Sequence, residues 1–288
     1  MKKMSLFSLA MPFLIFTHII FSAELTAVKI ASAPVIDGSV DDVLWERAKQ
    51  LTIKDGASET QLSIRAVYDQ KYLYFLVQYQ DKTESRRHKP FVWNSAIEIY
   101  QVSTEREDTL IFKWNMGDVA TNLSLSSDIE YRADIWYWKA NRTDPAGYAD
   151  DKYHVYSRHS GPKSKMLTSR EGAIFYLIRK GDAGKAAYQT SLKGLYEGDS
   201  VNSYEVSTPS GSRGDIKAKG RWHNGVWTIE FQRKLVTGNT DDVQFSIDKE
   251  FTFALSRYEI AGRAVNAKLS QPLHGAGEVG AVIHLNFE

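Results

Sequence analysis

The feature that most constrains this fold is a pair of β-type segments separated by only two residues. The first segment, QLSIRAVYD (residues 61–69), and the second, YLYFLVQYQD (residues 72–81), are dominated by β-branched and aromatic residues. Such side chains pack well on a pleated surface. Only Gln70 and Lys71 separate the two segments, a spacing typical of a β-hairpin. The two segments therefore predict adjacent antiparallel strands.

The rest of the chain repeats this pattern of short apolar segments and turns. Further strands are predicted at residues 96–101, 109–115, 173–179, 216–222, 226–234, 251–258 and 281–287. Asn224-Gly225 lies between two of them and supplies the positive φ angles that a tight hairpin turn needs. Residues 180–215 are polar and contain several glycines, so we expect a long loop there. Helical periodicity is almost absent, which predicts an all-β fold: an antiparallel β-sandwich with a few short peripheral helices.

The N-terminus has the three parts of a secretory signal. Lys2 and Lys3 precede an apolar run over residues 6–21, and the small residues Ser22 and Ala23 follow it. We expect cleavage near Ala23, which leaves residues 24–288 as one β-sandwich domain outside the cytoplasm. The alternative is an uncleaved anchor, but the run is shorter than the ~20 residues that span a bilayer and is broken by polar residues.

Charge and cysteine content exclude several functions. Removal of residues 1–23, which carry two lysines and no acidic residue, changes the formal net charge from +1 to −1, so the chain offers no strong field for nucleic acid. The sequence contains no cysteine. This excludes disulfides, thiolate nucleophiles, cysteine-ligated zinc or iron–sulfur centres, and covalent c-type haem. Any haem bound here is therefore non-covalent.

The richest stretch for function covers residues 109–151. It contains TLIFKWNMGD and ADIWYWKANRTDPAGYADD, with Met116 and the tryptophans Trp114, Trp136 and Trp138. A thioether is a soft group that fills core space, touches aromatic rings or ligates haem iron. Trp136 and Trp138 either share one face of a strand or flank a turn, and Trp114 is equally suited to the core. Flat rings beside a thioether suit a broad, flat ligand.

Several segments together resemble a known family. VIDGSVDDVLWERA, IRAVYDQKYLYFLVQYQD, the MGD and DIWYWKANRTDPAGYADD segments, GVWTIEFQRKL and FALSRYEIAGRAVNAKLS are similar to the haem-binding gamma subunit of ethylbenzene dehydrogenase. The same family accompanies dimethylsulfide dehydrogenase, selenate reductase and chlorate reductase. The resemblance implies a periplasmic β-sandwich that binds one b-type haem. Met116 and Lys268 would be the axial ligands to iron, and Trp114, Trp136 and Trp138 would be candidates to contact the haem.

The resemblance also implies a role and partners. With both axial positions filled, the iron has no open site for a substrate, so we expect electron transfer rather than catalysis. The implied partner is a molybdenum oxidoreductase with an iron–sulfur subunit, or a soluble cytochrome. A lysine ligates iron only as the neutral amine, so its pKa must be lowered by burial and by the cation.

Alternatives to this interpretation remain at the level of the sequence. Histidine is a common haem ligand, so His154, His159, His274 and His284 are rival ligands. The opening VIDGSVDDVLWERA also resembles family 9 carbohydrate-binding modules, in which exposed tryptophans would stack on sugar rings. Asp150 and Asp151 are adjacent carboxylates, but no pair at the spacing of a glycoside hydrolase can be placed from sequence.

Overall fold

The structure is a computed structural model that describes residues 23–56, 60–191, 195–257 and 279–288. Its strands are β1 Ala23–Lys29, β2 Leu51–Lys54, β3 Gln61–Tyr68, β4 Tyr72–Gln80, β5 Phe91–Asn94, β6 Ile99–Val102, β7 Thr109–Asn115, β8 Tyr131–Lys139, β9 Asp150–Ser157, β10 Lys165–Thr168, β11 Ile174–Gly181, β12 Tyr188–Thr190, β13 Ser200–Val201, β14 Tyr204–Val206, β15 Lys217–His223, β16 Val226–Lys234, β17 Phe251–Ser256 and β18 Ile283–Phe287. Three short 3₁₀ helices cover Val43–Arg47, Asp144–Ala146 and Ser212–Gly214.

Within these residues, thirteen strands form one large sheet. Its order is β10-β11-β9-β8-β7-β17-β18-β1-β3-β4-β16-β15, and β2 pairs with β3 off this path. Strands β13, β5 and β6 form a separate small sheet, and β12 pairs with β14. The 180–215 region, predicted to be a long loop, therefore contains three short strands that have too few residues to give a clear sequence pattern.

The large sheet is bent so that its two halves pack face to face across the interior. Phe75 of β4 contacts Phe112 of β7, with ring centroids 5.0 Å apart, and Trp138 of β8 contacts Trp227 of β16 at 4.9 Å. In each case other strands separate the two partners along the sheet, so the contact must cross the interior. The predicted all-β sandwich is confirmed.

The predicted hairpins are also confirmed, whereas one pairing differs from expectation. β3 pairs with β4 in antiparallel register, and the turn before β16 has Asn224 at φ 49° and Gly225 at φ 80°. However, β1 pairs in parallel with both β18 and β3. The large sheet is therefore mixed, because β1 runs parallel to both of its neighbours whereas pairs such as β17–β18 and β3–β4 are antiparallel.

Strand β4 shows why its sequence is a continuous apolar run. Its residues Leu73, Phe75 and Val77 face the main core between the two halves of the sheet. Tyr74 and Leu76 face the other way, into a smaller cluster that includes Trp45 of the first 3₁₀ helix. Both faces are buried, so the alternation of apolar and polar residues that marks a half-exposed strand is lost.

Among the described residues, we find no helix with the length and apolar character required to cross a membrane. The predicted signal segment, apart from Ala23, lies outside the described residues, and its cleavage stays a prediction.

Candidate functional site

Met116 is the first residue after β7, and its position is fixed by a local turn. The side chain of Asn115 accepts a hydrogen bond from the Gly117 N–H at 3.1 Å and donates to the Val119 carbonyl at 2.7 Å. Such side-chain to backbone bonds end a strand and start a turn. The Met116 N–H still donates to the Arg132 carbonyl at 3.1 Å, which holds this residue against the end of β8.

A cavity of about 350 Å³ opens beside Met116. This volume is at the lower end of the ~300–1,000 Å³ range of ligand sites. It lies at the end of β7, β8 and β9 and is lined by Asn115, Met116, Gly117, Thr121, Glu130, Tyr131, Arg132, Val155, Tyr156 and Ser157. Met116 is half-buried and also packs against the main core cluster. Its thioether thus lies at a boundary between the aromatic interior and a cavity.

The three tryptophans singled out from the sequence belong to the same core cluster. Trp114, Trp136 and Trp138 are each 0% exposed. Trp136 and Trp138 lie on one face of β8, which decides between the two arrangements that the sequence left open. Trp114 packs against Trp136 at 5.1 Å and against Phe253 at 4.4 Å.

These rings fill the interior between the two halves of the sheet. The structure therefore brings Met116 to the edge of an aromatic cluster, and the three tryptophans lie within that cluster rather than in the lining of the Met116 cavity. The indole Nε1 of Trp114 is buried and has no hydrogen-bond acceptor among the described residues. A buried polar atom of this kind is unusual in a well-packed core.

The second predicted ligand, Lys268, lies outside the described residues. The rival histidines occupy different environments. His154 is buried on β9, His159 is exposed, and the ring of His284 lies 2.5 Å from the Glu250 carboxylate. His274 also lies outside the described residues. None of the three rival histidines that the structure describes lines the cavity beside Met116.

Lys113 is a fully buried lysine on β7 that the sequence motifs did not single out. Its Nζ donates to the Leu123 carbonyl at 2.8 Å and lies 3.4 Å from the hydroxyl of Tyr131, which also lines the cavity. Lysines are almost never fully buried without a polar partner. Its position in the centre of the apolar segment TLIFKWN was the signal that could have identified it.

The donor chemistry at Met116 is of a kind that would suit haem iron. A thioether is a soft ligand suited to haem iron, and here it lies half-buried beside aromatic rings and next to open volume. The cavity lining also contains Arg132, a cation of the kind that pairs with carboxylates such as haem propionates.

Comparison with known proteins gives one family and a set of distant structural neighbours. No curated protein matches the chain. Among solved structures, two matches are a family 9 carbohydrate-binding module from Caldicellulosiruptor kristjanssonii, in complex with cellotriose and with glucose. The first has 14% identity and a TM-score of 0.38, and the match covers 92% of this chain and 94% of the module. The second has 14% identity and a TM-score of 0.35, covering 93% and 96%.

The family model described as ethylbenzene dehydrogenase matches residues 22–263. This range covers most of the chain. It contains the hairpin of β3 and β4, the Met116 segment and the three tryptophans, and therefore includes the candidate site. The resemblance inferred from the sequence motifs is thus confirmed, and the chain belongs to the ethylbenzene dehydrogenase family.

Proposed function

We propose that this protein is a periplasmic b-type cytochrome that relays electrons and does not itself catalyse a reaction. It binds one non-covalent haem with Met116 and Lys268 as axial ligands. Its electron partner is a molybdenum oxidoreductase with an iron–sulfur subunit, or a soluble cytochrome. The observation that carries the proposal is the position of Met116, half-buried between an aromatic cluster and a cavity in a chain of this family.

The haem supplies reversible one-electron chemistry at iron. Met116 contributes a neutral, soft ligand, which favours reduced iron and raises the potential. Lys268 contributes an amine, which ligates iron only in its deprotonated form. The aromatic cluster behind Met116 keeps water from that side of the ligand.

The alternative, a carbohydrate-binding module, would need exposed tryptophans to stack on sugar rings. Trp114, Trp136 and Trp138 are fully buried and cannot reach a ligand without opening the core. These three tryptophans therefore do not support the alternative, which would have to use a more exposed one such as Trp93, 38% exposed.

Visible absorption and electron paramagnetic resonance of the haem-reconstituted protein test the proposal. The wild-type chain should bind one haem per chain and show a low-spin spectrum. Met116→Ala should give a high-spin spectrum or lose haem, and Lys268→Ala should do the same. The matched control is Met166→Ala, because Met166 is 60% exposed and does not line the cavity beside Met116.

Two results would contradict the proposal. If the wild-type chain takes up no haem, the cytochrome assignment is wrong. If Met116→Ala and Lys268→Ala both keep the low-spin spectrum of the control, the haem has other ligands. Calorimetric titration with cellotriose and glucose should give no binding heat, whereas a clear heat would favour the carbohydrate-binding alternative.

A further inference from the structure

A cluster of four carboxyl groups and one arginine is buried beside the aromatic core, where the Arg233 guanidinium lies 5.3 Å from the centre of the Trp136 ring. Its members are strongly buried: Asp134 on β8, Asp151 on β9 and Arg233 on β16 are 0% exposed, and Asp182 and Asp242 are 5% and 6% exposed. One oxygen from each of three of the aspartates lies within 4.8 Å of the others, namely those of Asp134, Asp151 and Asp242. We call these five residues the acidic cluster.

Strand pairing explains how these residues meet. Asp151 lies opposite Trp136 in the register of β8 and β9, so its side chain points to the same face as Trp136. Its neighbour Asp150 points to the opposite face, where Lys139 Nζ lies 2.5 Å and Arg213 Nε 2.7 Å from its oxygens. These cations hold the pKa of Asp150 below its ordinary value despite the burial of the carboxyl group. The negative charge of Asp150 is thus balanced by Lys139 and Arg213. In the described part of the chain, Asp151 has no comparable cation beside it.

Arg233 is the one cation that the described residues place in the acidic cluster, and Asp242 and Asp134 already engage it. Arg233 Nη2 lies 2.9 Å from Asp242 and 3.3 Å from Asp134, and its Nη1 donates to the Val243 carbonyl at 3.0 Å. Its Nε approaches Asp151 only to 3.9 Å, which is too far for a hydrogen bond.

Several oxygens of the acidic cluster lack a donor. Among the described residues, no N–H or O–H group donates a hydrogen bond to either carboxylate oxygen of Asp151 or to either one of Asp182. The neighbour that reaches Asp151 is another carboxyl group, that of Asp182. An acceptor that is fully buried without a donor is costly and requires a neutralising group.

Within the part of the chain that the structure describes, the charges of the acidic cluster do not balance without an additional positive species. Four ionised carboxylates would face one guanidinium, an excess of three negative charges in a buried volume. Burial raises the pKa of Asp182 to about 8 and that of Asp134 to about 6, and it raises the pKa of Asp151 well above its ordinary value. The groups around the cluster do not restore the balance, because Asp215 and Asp241 add negative charge and Arg213 is bound to Asp150.

We propose that Asp134, Asp151 and Asp242 bind a divalent cation of the calcium type, with Asp182 as a neighbouring carboxylate. All available donors are oxygen atoms, which hard cations prefer. Ca²⁺ holds its ligands at about 2.3–2.6 Å, so a set of oxygens up to ~5 Å apart can share one ion. With the ion bound, the excess charge of the cluster falls from three negative charges to one. In the absence of the ion, protons occupy the same carboxyl groups.

The full-length chain, stripped with EDTA, provides the direct test. Isothermal titration calorimetry with CaCl₂ at pH 8 should show one site, and the melting temperature should rise with added Ca²⁺. Protons compete with the ion for the same carboxyl oxygens, so the affinity should fall as the pH is lowered from 8. Absence of both binding heat and thermal shift with Ca²⁺ would overturn the proposal and leave protons as the neutralising species.

Variants separate the ion site from general effects. Asp151→Asn should abolish the response to Ca²⁺ and should melt close to the stripped wild type, because an amide replaces a buried carboxyl group that carries a proton in the absence of the ion. The control is Asp248→Asn, at an exposed position, which should keep the wild-type response. If Asp151→Asn does not fold, Asp182→Asn serves in its place and should weaken Ca²⁺ binding at least tenfold. A full Ca²⁺ response in either variant would refute the assignment.

The outcome is independent of the cytochrome proposal. Met116 lies outside the acidic cluster, so Met116→Ala should keep the calcium response of the wild type whether or not haem is bound.

Discussion

Replacement of Gly220 by alanine provides a sharp test of how the core is packed around Trp138. Gly220 lies on β15, and a Cβ atom at this position would be 2.4 Å from Cζ2 of Trp138 and 2.9 Å from its Cε2. Ordinary van der Waals contact begins at 3.4 Å, so the indole ring would have to move by about 1 Å. A shift of that size is difficult because this ring is completely buried.

The size of the destabilisation by Gly220→Ala follows from the contacts that hold the indole ring of Trp138. Trp138 Nε1 donates to Asp144 at 3.0 Å, and the ring packs edge-on against Trp227 at 4.9 Å. Overpacking of a core costs about 1–3 kcal/mol, and a weakened hydrogen bond adds about 1 kcal/mol. The smaller backbone entropy loss of alanine offsets roughly 0.5–1 kcal/mol of this. We expect Gly220→Ala to lower the free energy of unfolding by about 1.5–3 kcal/mol.

Urea denaturation followed by far-ultraviolet circular dichroism measures this change. Gly117→Ala is the control, because the nearest atom to its added Cβ lies at 3.4 Å and no positive φ is required there. In a Trp138→Phe background the clashing atoms are absent, so the cost of Gly220→Ala should fall below about 0.5 kcal/mol, giving a coupling of about 1–2.5 kcal/mol. An equal cost of Gly220→Ala in both backgrounds would refute the packing argument.

Two further predictions concern buried acids outside the acidic cluster. Glu230 accepts hydrogen bonds from the backbone N–H groups of Asp37 and Gly38 and from Trp45 Nε1, the last at 2.9 Å. Glu230→Gln places an amide N–H₂ group against one of these donors. We expect it to lower the free energy of unfolding, measured by urea denaturation, by about 1–3 kcal/mol. The same change at the half-exposed Glu250 should cost less than about 0.5 kcal/mol, and an equal loss at the two sites would be inconsistent with this reasoning. Burial, and then repulsion by Asp81, raise the pKa of Asp108 to about 7, so the stability that its protonated form contributes is lost as pH rises from 3.8 through 7. Asp108→Asn should therefore reduce the decline in unfolding free energy between pH 5 and pH 8 by about 1–3 kcal/mol, and an unchanged pH profile would show that Asp108 titrates normally.

Much of the fold could be read from local sequence pattern. The hairpin of β3 and β4, the Asn-Gly turn before β16 and strand β7 are encoded by residues that are neighbours in the chain. Strand propensity and turn chemistry act over a few residues, so a single sequence is enough to identify them. Predicted segment 96–101 was less accurate, because the structure has a short hairpin of β5 and β6 there. Exposed apolar residues on both strands of that hairpin obscure the turn between them.

The candidate site was only partly accessible to the same reasoning. The sequence identified Met116 and the three tryptophans, but it left open whether Trp136 and Trp138 share a strand face. Pairing of β8 with both β7 and β9 decides this, since those hydrogen bonds fix the strand and therefore its alternation. The position of Lys268 stays a prediction because this residue lies outside the described part of the chain.

The acidic cluster shows which properties of this protein follow from its sequence and which require its tertiary structure. By itself the sequence determined an all-β chain without cysteine, with a thioether and tryptophans concentrated in one stretch, and with the motifs of its family. Only the tertiary structure placed Asp134, Asp151 and Asp242 around Arg233, because residues up to about a hundred positions apart converge when β8, β9 and β16 pack against one core. Local propensity carries no information about such long-range convergence, whereas burial and charge balance arise only once the strands have assembled.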